Sequence, residues 1–125
     1  MHRSKLSTFV LDCQTDDVTG AATFWGGALG LPVRKPENDA DLYRDLVTEA
    51  PAPVLMVQAV KHPSRIHLDI ETDDIEAEVA RLEALGARRV EFVKRWWVME
   101  APTGQRFCVV NPQRGQLSED ANTWP

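Results

Sequence analysis

The chain is poor in cysteine, tyrosine and histidine, and it has no long apolar run. Its 125 residues hold two cysteines, Cys13 and Cys108, and no C-x-x-C pair. That excludes a disulfide scaffold and a structural zinc knuckle, and it predicts two reduced thiols in or near a core. No apolar stretch approaches the roughly 18 residues of a bilayer span. The opening MHRSKLST lacks the apolar segment of a secretory signal, so the expected location is cytoplasmic, with no membrane partner. Basic runs are missing too. Arg34 and Lys35, Arg88 and Arg89, Lys94 and Arg95 are isolated pairs, and the net charge is −5 with a pI near 5.1. Such a surface repels phosphate backbones, so nucleic acid is not an expected partner. What remains is ordinary: 43% hydrophobic and 26% charged residues, enough for the core of one domain.

What the chain does have is a repeat. VLDCQTDD at 10–17 returns as HLDIETDD at 67–74, with five of eight letters identical and a histidine only in the second copy. The match extends over VLDCQTDDVTGAATFWGGALG (10–30) and HLDIETDDIEAEVARLEALG (67–86), both ending in Ala-Leu-Gly. A weaker echo follows, VTEAP at 47–51 and VMEAP at 98–102. Two copies are too few for a solenoid and predict two similar modules packed into one domain by pseudo-twofold symmetry.

Each module opens on a strand with period-two alternation. Phe9, Leu11 and Cys13 in one copy, and Ile66, Leu68 and Ile70 in the other, are expected to pack on an apolar layer. Val10, Asp12 and Gln14, or His67, Asp69 and Glu71, point the other way. Thr-Asp-Asp then opens a helix. In the second copy Asp73 and Glu76 have capping-box spacing, Ile75, Val79, Leu82 and Leu85 form the apolar stripe, and Glu76, Glu78, Arg81 and Glu83 are expected in water. Val18, Ala22, Trp25 and Leu29 play the apolar part in the first copy, and Gly30 and Gly86 are natural terminators. Strands are expected at 31–35, 42–48 and 54–60, then at 88–94, 96–100 and 106–110, with a Pro-Gly turn at 101–104. The unit is βαβββ, used twice: one domain over 1–125, with module one at about 6–60, module two at about 64–112, and a polar, loosely ordered tail at 113–125 in which Trp124 is the one residue suited to docking.

These residues resemble the glyoxalase / bleomycin-resistance / extradiol-dioxygenase (vicinal oxygen chelate) superfamily, and most closely its small actinobacterial glyoxalase-like branch. The resemblance is carried by DCQTDD…FWGGALG, RIHLDIETDDIEAEVARLEALGARRV and WWVMEAPTGQRFCVV, and spans about residues 6–112. It implies an α+β fold in which two βαβββ modules curl mixed sheets into a cup that holds a small ligand, and a homodimer. In the metalloenzymes of the superfamily it implies a divalent ion, held by His or Gln at each first strand and Glu in each fourth strand.

Set on this chain, the implied metal positions fall on Val10, His67, Cys108 and either Val57 or Gln58. Valine offers no donor, so no cofactor is expected, and His67 alone stands as a candidate metal ligand. His67 is otherwise a strand histidine bonded to a neighbour, or a ligand-contacting or acid/base group together with Asp69. Asp12 is either a second carboxylate of such a site or a residue paired with an arginine across the sheet. Trp96 and Trp97 are successive in a strand, so one ring should face the cup as a flat apolar wall. Tyr43, Met56, Gln58, Met99 and Cys108 complete the candidate ligand-binding set. Cys108 is not expected as a nucleophile, having no identified base. His2 and His62 are expected in solvent. The first functional reading is a protein that binds a small, aromatic or oxygenated metabolite. A glyoxalase-like lyase or isomerase using His67 and Asp69, with or without a divalent metal, is the alternative, and an interaction protein without a small ligand is the third.

Overall fold

The elements of the computed structural model, which describes residues 1–125, run β1 (His2–Gln14), α1 (Val18–Leu29), β2 (Tyr43–Leu46), β3 (Val54–Val60), β4 (Arg65–Thr72), α2 (Ile75–Ala84), β5 (Arg88–Val93), β6 (Trp96–Glu100), β7 (Arg106–Val110) and β8 (Asn122–Trp124). The class is α+β. Each copy of the repeat gives a strand, a helix and further strands, although in the first copy the strand expected at 31–35 is reduced to one bridge, Val33 to Leu46. No helix is long and apolar enough to cross a membrane. Two compact units result: Thr8–Ile66, and His67–Pro125 together with Met1–Ser7.

In the unit Thr8–Ile66 the strand order is β2-β3-β1, with β3 antiparallel to β2 and parallel to β1. Helix α1 starts where Asp17 accepts the amide of Gly20 and ends at Gly30, whose φ of 69° is left-handed and costs a glycine little. Val18, Ala22 and Gly26 recur every four residues and form its buried stripe. They pack on Leu46, Val57 and Ala59, with Leu11 and Cys13 of β1 beside them. Gly26 permits that approach, because a Cβ there would stand 2.9 Å from the Leu31 carbonyl oxygen. Leu29, one turn further along, is exposed instead of buried. Arg44 is buried, and its guanidinium donates to the carbonyls of Asp39, Asp41 and Tyr43, which fixes the loop before β2.

In the second unit the order is β4-β7-β6-β5, with β4 and β7 parallel and the later pairs antiparallel. Val79 and Leu82 of α2 pack on Met99 and Val109, with Ile70, Ile75, Trp97 and Phe107 at the margin. Leu85 is exposed, contrary to the helical stripe, and so are Ile66 and Leu68 on β4, at 63% and 41%. The apolar layer that alternation predicted for β4 begins only at Ile70. The cap also differs by one residue. Asp74 accepts the amide of Ala77, while Asp73 accepts that of Arg3.

The largest departure lies at the two ends of the chain. The tail closes as β8, antiparallel to β1 with His2 opposite Trp124, and the Trp124 indole N–H donates to Ser4 Oγ at 2.8 Å. His2 is buried, not solvated, and its Nε2 lies 2.8 Å from Oε1 of Glu78. Glu78, expected in water, is fully buried and accepts both Nε and one terminal nitrogen of Arg81 at 2.8 Å. The Arg81 guanidinium in turn stacks 3.9 Å above the Trp124 ring. A carboxylate can be stripped of water at this position because each of its oxygens is bonded.

Burial works to raise the Glu78 pKa, but the hydrogen bonds from Arg81, His2 and Ser4 outweigh it and hold the carboxyl below the usual range. Its contribution to stability is therefore complete above the ordinary glutamate value of 4.5 and is lost as the pH falls through the lower, folded value. Chemical denaturation from pH 7 to pH 3 should show this as a steep acid limb, and Glu78→Gln should flatten it while lowering stability at pH 7.

Candidate functional site

Alternation along β4 sends His67, Asp69 and Glu71 to the side opposite Ile70, away from α2. Parallel pairing sets Asp69 beside Cys108 of β7, and Cys108 beside Val98 of β6. One ring nitrogen of His67, one carboxylate oxygen of Asp69 and the Cys108 sulfur lie within 4.8 Å of one another. His67 Nε2 is 3.4 Å from Asp69 Oδ1, an ion-pair distance rather than a hydrogen bond. Asp69 is 8% exposed, and its Oδ1 meets no hydrogen-bond donor of the protein. Glu71, next in the alternation, is tied down instead: its Oε2 accepts the Gln113 amide at 3.0 Å. Leaving a buried carboxylate oxygen without a donor costs about 1–3 kcal/mol, so such a group in a folded protein calls for a ligand to complete it.

The donor set can be tested against the divalent ion that the resemblance implies. Imidazole nitrogen, carboxylate oxygen and thiolate sulfur together suit a borderline ion such as zinc, and the residues fit one. The positions that the resemblance implies offer only His67, Cys108 and Gln58, none of them a carboxylate. The missing carboxylate is Asp69, two residues after His67 on the same strand face. Period-two spacing alone places it there, where the residues equally suit proton transfer with His67.

Trp96, two residues before Val98, falls on the Cys108 side of β6. Trp97 falls on the other, where its ring packs under α2 with Arg89 stacked on it and its N–H reaching Glu76 at 3.3 Å. Met99 shares that side and is 0% exposed, so its role is packing, and it offers no surface to a ligand.

The remaining candidates lie in the unit Thr8–Ile66. Two cross-strand rows run along the sheet face opposite α1: Asp12, Gln58 and Tyr43 in one, Val10, Met56 and Asp45 in the next. Gln58 Nε2 donates to Tyr43 Oη at 3.0 Å. Asp12 is buried, with its Oδ2 3.5 Å from Arg65 Nε and 3.9 Å from His62 Nε2. The arginine partner expected for Asp12 is thus Arg65, and His62 faces a carboxylate instead of open solvent. Cys13 lies on the helix-packed side, where burial pushes its thiol up and keeps it inert. Asp45 was not anticipated. Burial raises its carboxyl above the usual range, with Arg34 opposing and Asp41 assisting. The alternation of Tyr43 and Asp45 was the signal that would have found it.

The chain matches the model of the glyoxalase-like domain over residues 8–110. Among the solved structures similar to it are three from bacteria. One is methylmalonyl-CoA epimerase from Mycobacterium tuberculosis, at 20% identity over 86% of this chain and 87% of that one, with a TM-score of 0.58. The second is a glyoxalase/bleomycin resistance protein/dioxygenase superfamily member from Vibrio splendidus, at 18% identity over 86% and 99%, TM-score 0.56. The third is a hypothetical protein from Bacillus halodurans, at 14% identity over 88% and 96%, TM-score 0.56. At these identities the likeness is one of fold. No curated protein matches the chain.

Because the Asp45 carboxyl titrates higher folded than unfolded, its ionised form weakens the fold above both values. Asp45→Asn should therefore raise stability at pH 7. The gain should vanish as the pH drops below the ordinary aspartate value of 3.8, which denaturant titrations at the two pH values would show.

Proposed function

The chain belongs to the glyoxalase-like domain family, and from that premise we propose that it binds a small oxygenated or aromatic metabolite on the strand face carrying His67, Asp69 and Cys108. The observation that carries the reading is the buried Asp69 Oδ1 without a donor. A ligand hydroxyl or a bound cation placed there satisfies an acceptor that the fold leaves open. His67 stands 3.4 Å away and supplies a second polar contact, so a ligand group with adjacent oxygens meets one imidazole and one carboxylate together. Trp96 on the same side of β6 supports an aromatic or planar ligand body. Asp12, Tyr43 and Gln58, with the thioether of Met56 in the next row, belong to the same proposal as further ligand-contacting residues.

The alternative is an enzyme of the lyase or isomerase kind, and the His67–Asp69 pair is what favours it. His67 would take a proton from a carbon next to a substrate carbonyl and return it, while the Asp69 carboxylate steadies the imidazolium formed in between. Epimerisation is chemistry of that kind, and one structural neighbour is an epimerase by name. With a divalent ion held by His67, Asp69 and Cys108 instead, His67 would be a ligand and not the base, and the ion would supply Lewis-acid polarisation of a bound carbonyl.

Thermal-shift screening against small carbonyl and aromatic metabolites, followed by calorimetry, tests the binding reading. His67→Ala and Asp69→Asn should each weaken a ligand at least about tenfold, or ~1.4 kcal/mol, and wild-type affinity in both variants would overturn this site. Loss of the α-proton signal of a bound carbonyl compound in D2O, abolished by His67→Ala, would establish the enzyme, whereas tight binding with no exchange would leave binding alone.

The homodimer is part of the same proposal, supported by the exposed apolar side chains of Leu68, Leu85 and Phe92. Light scattering should give twice the chain mass of 14.0 kDa, and a value equal to it would remove the dimer.

A further inference from the structure

We propose that the turn between β3 and β4 binds the carboxylate of a small hydroxycarboxylic acid, with the Arg65 guanidinium as its anchor, His62 as a second donor and Gln58 as acceptor for the ligand hydroxyl. The inference rests on the functional reading above, to which Gln58 already belongs, and it names the ligand class. Every residue involved lies in the unit Thr8–Ile66.

Charge is the first observation. The chain carries a net charge of −5, yet KHPSR at 61–65 has three basic residues and no acid. The turn is also fixed. The backbone amide of Gln14 donates to Ser64 Oγ at 2.9 Å, and its side-chain amide donates to the Lys61 carbonyl at 3.0 Å. His62 Nδ1 donates to the Pro63 carbonyl at 2.9 Å, while Nε2 stands 3.9 Å from Asp12 Oδ2.

Geometry is the second. Asp12 lies on the sheet face opposite α1 and is 3% exposed. Its Oδ2 is 3.5 Å from Arg65 Nε, so the carboxylate draws the guanidinium over that face by charge, at an ion-pair distance. The Arg65 side chain is 46% exposed, and its two terminal nitrogens hydrogen-bond no protein acceptor. A planar fork of this kind matches the two oxygens of a carboxylate. Because Asp12 is almost wholly covered, a ligand meets the half-exposed guanidinium and not the carboxylate. Lys61 and Arg65 bring two positive charges and Asp12 one negative, a surplus of one. That suits a singly charged carboxylate better than a phosphate close to doubly charged.

The cross-strand row supplies the rest. Gln58 is the register partner of Asp12, one strand spacing away. Its Nε2 is taken by Tyr43 Oη, which leaves the Gln58 side-chain carbonyl as an acceptor. A ligand hydroxyl set apart from the carboxylate by a ring or a short chain meets it there. The Tyr43 ring and the Met56 thioether, both half-buried, offer apolar contact to the ligand body.

Nuclear magnetic resonance of the full chain tests this through the Arg65 Nε–Hε signal. 4-Hydroxybenzoate should shift that signal saturably and bind at least about tenfold more tightly than 4-hydroxybenzamide, its uncharged counterpart. Benzoate, which lacks the hydroxyl, should bind less tightly than 4-hydroxybenzoate, and phenyl phosphate no better than benzoate. Added sodium chloride should weaken the acid and leave the amide alone. Arg65→Gln, at a half-exposed position and checked for its fold by circular dichroism, should remove the preference for the acid and keep the affinity for the amide. Arg65→Lys should restore part of that preference. An unmoved Arg65 signal, equal affinity for acid and amide, or a preference that survives Arg65→Gln overturns the proposal. Tighter binding of phenyl phosphate overturns the carboxylate assignment. The functional reading is judged separately. Acid and amide that bind alike, both weakened by His67→Ala, sink the carboxylate site and leave the His67 face. An acid that shifts Arg65 and outbinds the amide, unaffected by His67→Ala and Asp69→Asn, sinks the His67 face and leaves the carboxylate site.

Discussion

A carboxylate oxygen buried without a donor at Asp69 is the constraint on which the candidate site depends. It arises from two regularities of strand geometry. Alternation puts His67 and Asp69 on one face of β4, and parallel register with β7 brings Cys108 alongside. A one-residue slip of β4 would send His67 and Asp69 to the opposite face and Ile70 away from α2, and a slip of β7 would do the same to Cys108 and Val109. The apolar contact under α2 therefore fixes the polar constellation on the other side. The cost of the unbonded oxygen, about 1–3 kcal/mol, is borne by that packing.

The same unit contains the opposite solution to a buried charge. Glu78 is more deeply enclosed than Asp69, yet His2, Ser4 and Arg81 bond it on all sides. Arg81 then lies flat on Trp124, and Trp124 bonds Ser4, so the start of β1, helix α2 and β8 close into one network. Such a network is stable without any ligand. Two carboxylates of one unit thus separate by role through their partners alone: the satisfied one holds structure, and the unsatisfied one is the place to look for binding.

Much of this was legible in the residues. The duplicated octapeptide marked the two first strands and their helices. Gly30 ending α1 and the Pro-Gly turn before β7 both fall where turn and cap chemistry puts them. The side of β4 bearing His67 and Asp69 followed from period two. The rows Asp12, Gln58, Tyr43 and Val10, Met56 could be guessed only as separate members, since their register across β1, β3 and β2 depends on strand order, which alternation does not contain. Met99 was misplaced for a related reason: period two places it with Trp97, but which side of β6 meets α2 is decided by the partner strands.

The sequence by itself determined local matters: where chains turn, which residues share a strand face, where helices begin, and membership in a family with a repeated βαβββ unit. Those depend on contacts a few residues apart, and propensity and periodicity record them directly. The tertiary structure alone decided that His2 meets Glu78 across 76 positions, that Trp124 closes on β1, and that Cys108 comes to rest beside Asp69. Long-range pairing is chosen by the burial and hydrogen bonding of the whole unit, and no single stretch of chain encodes it.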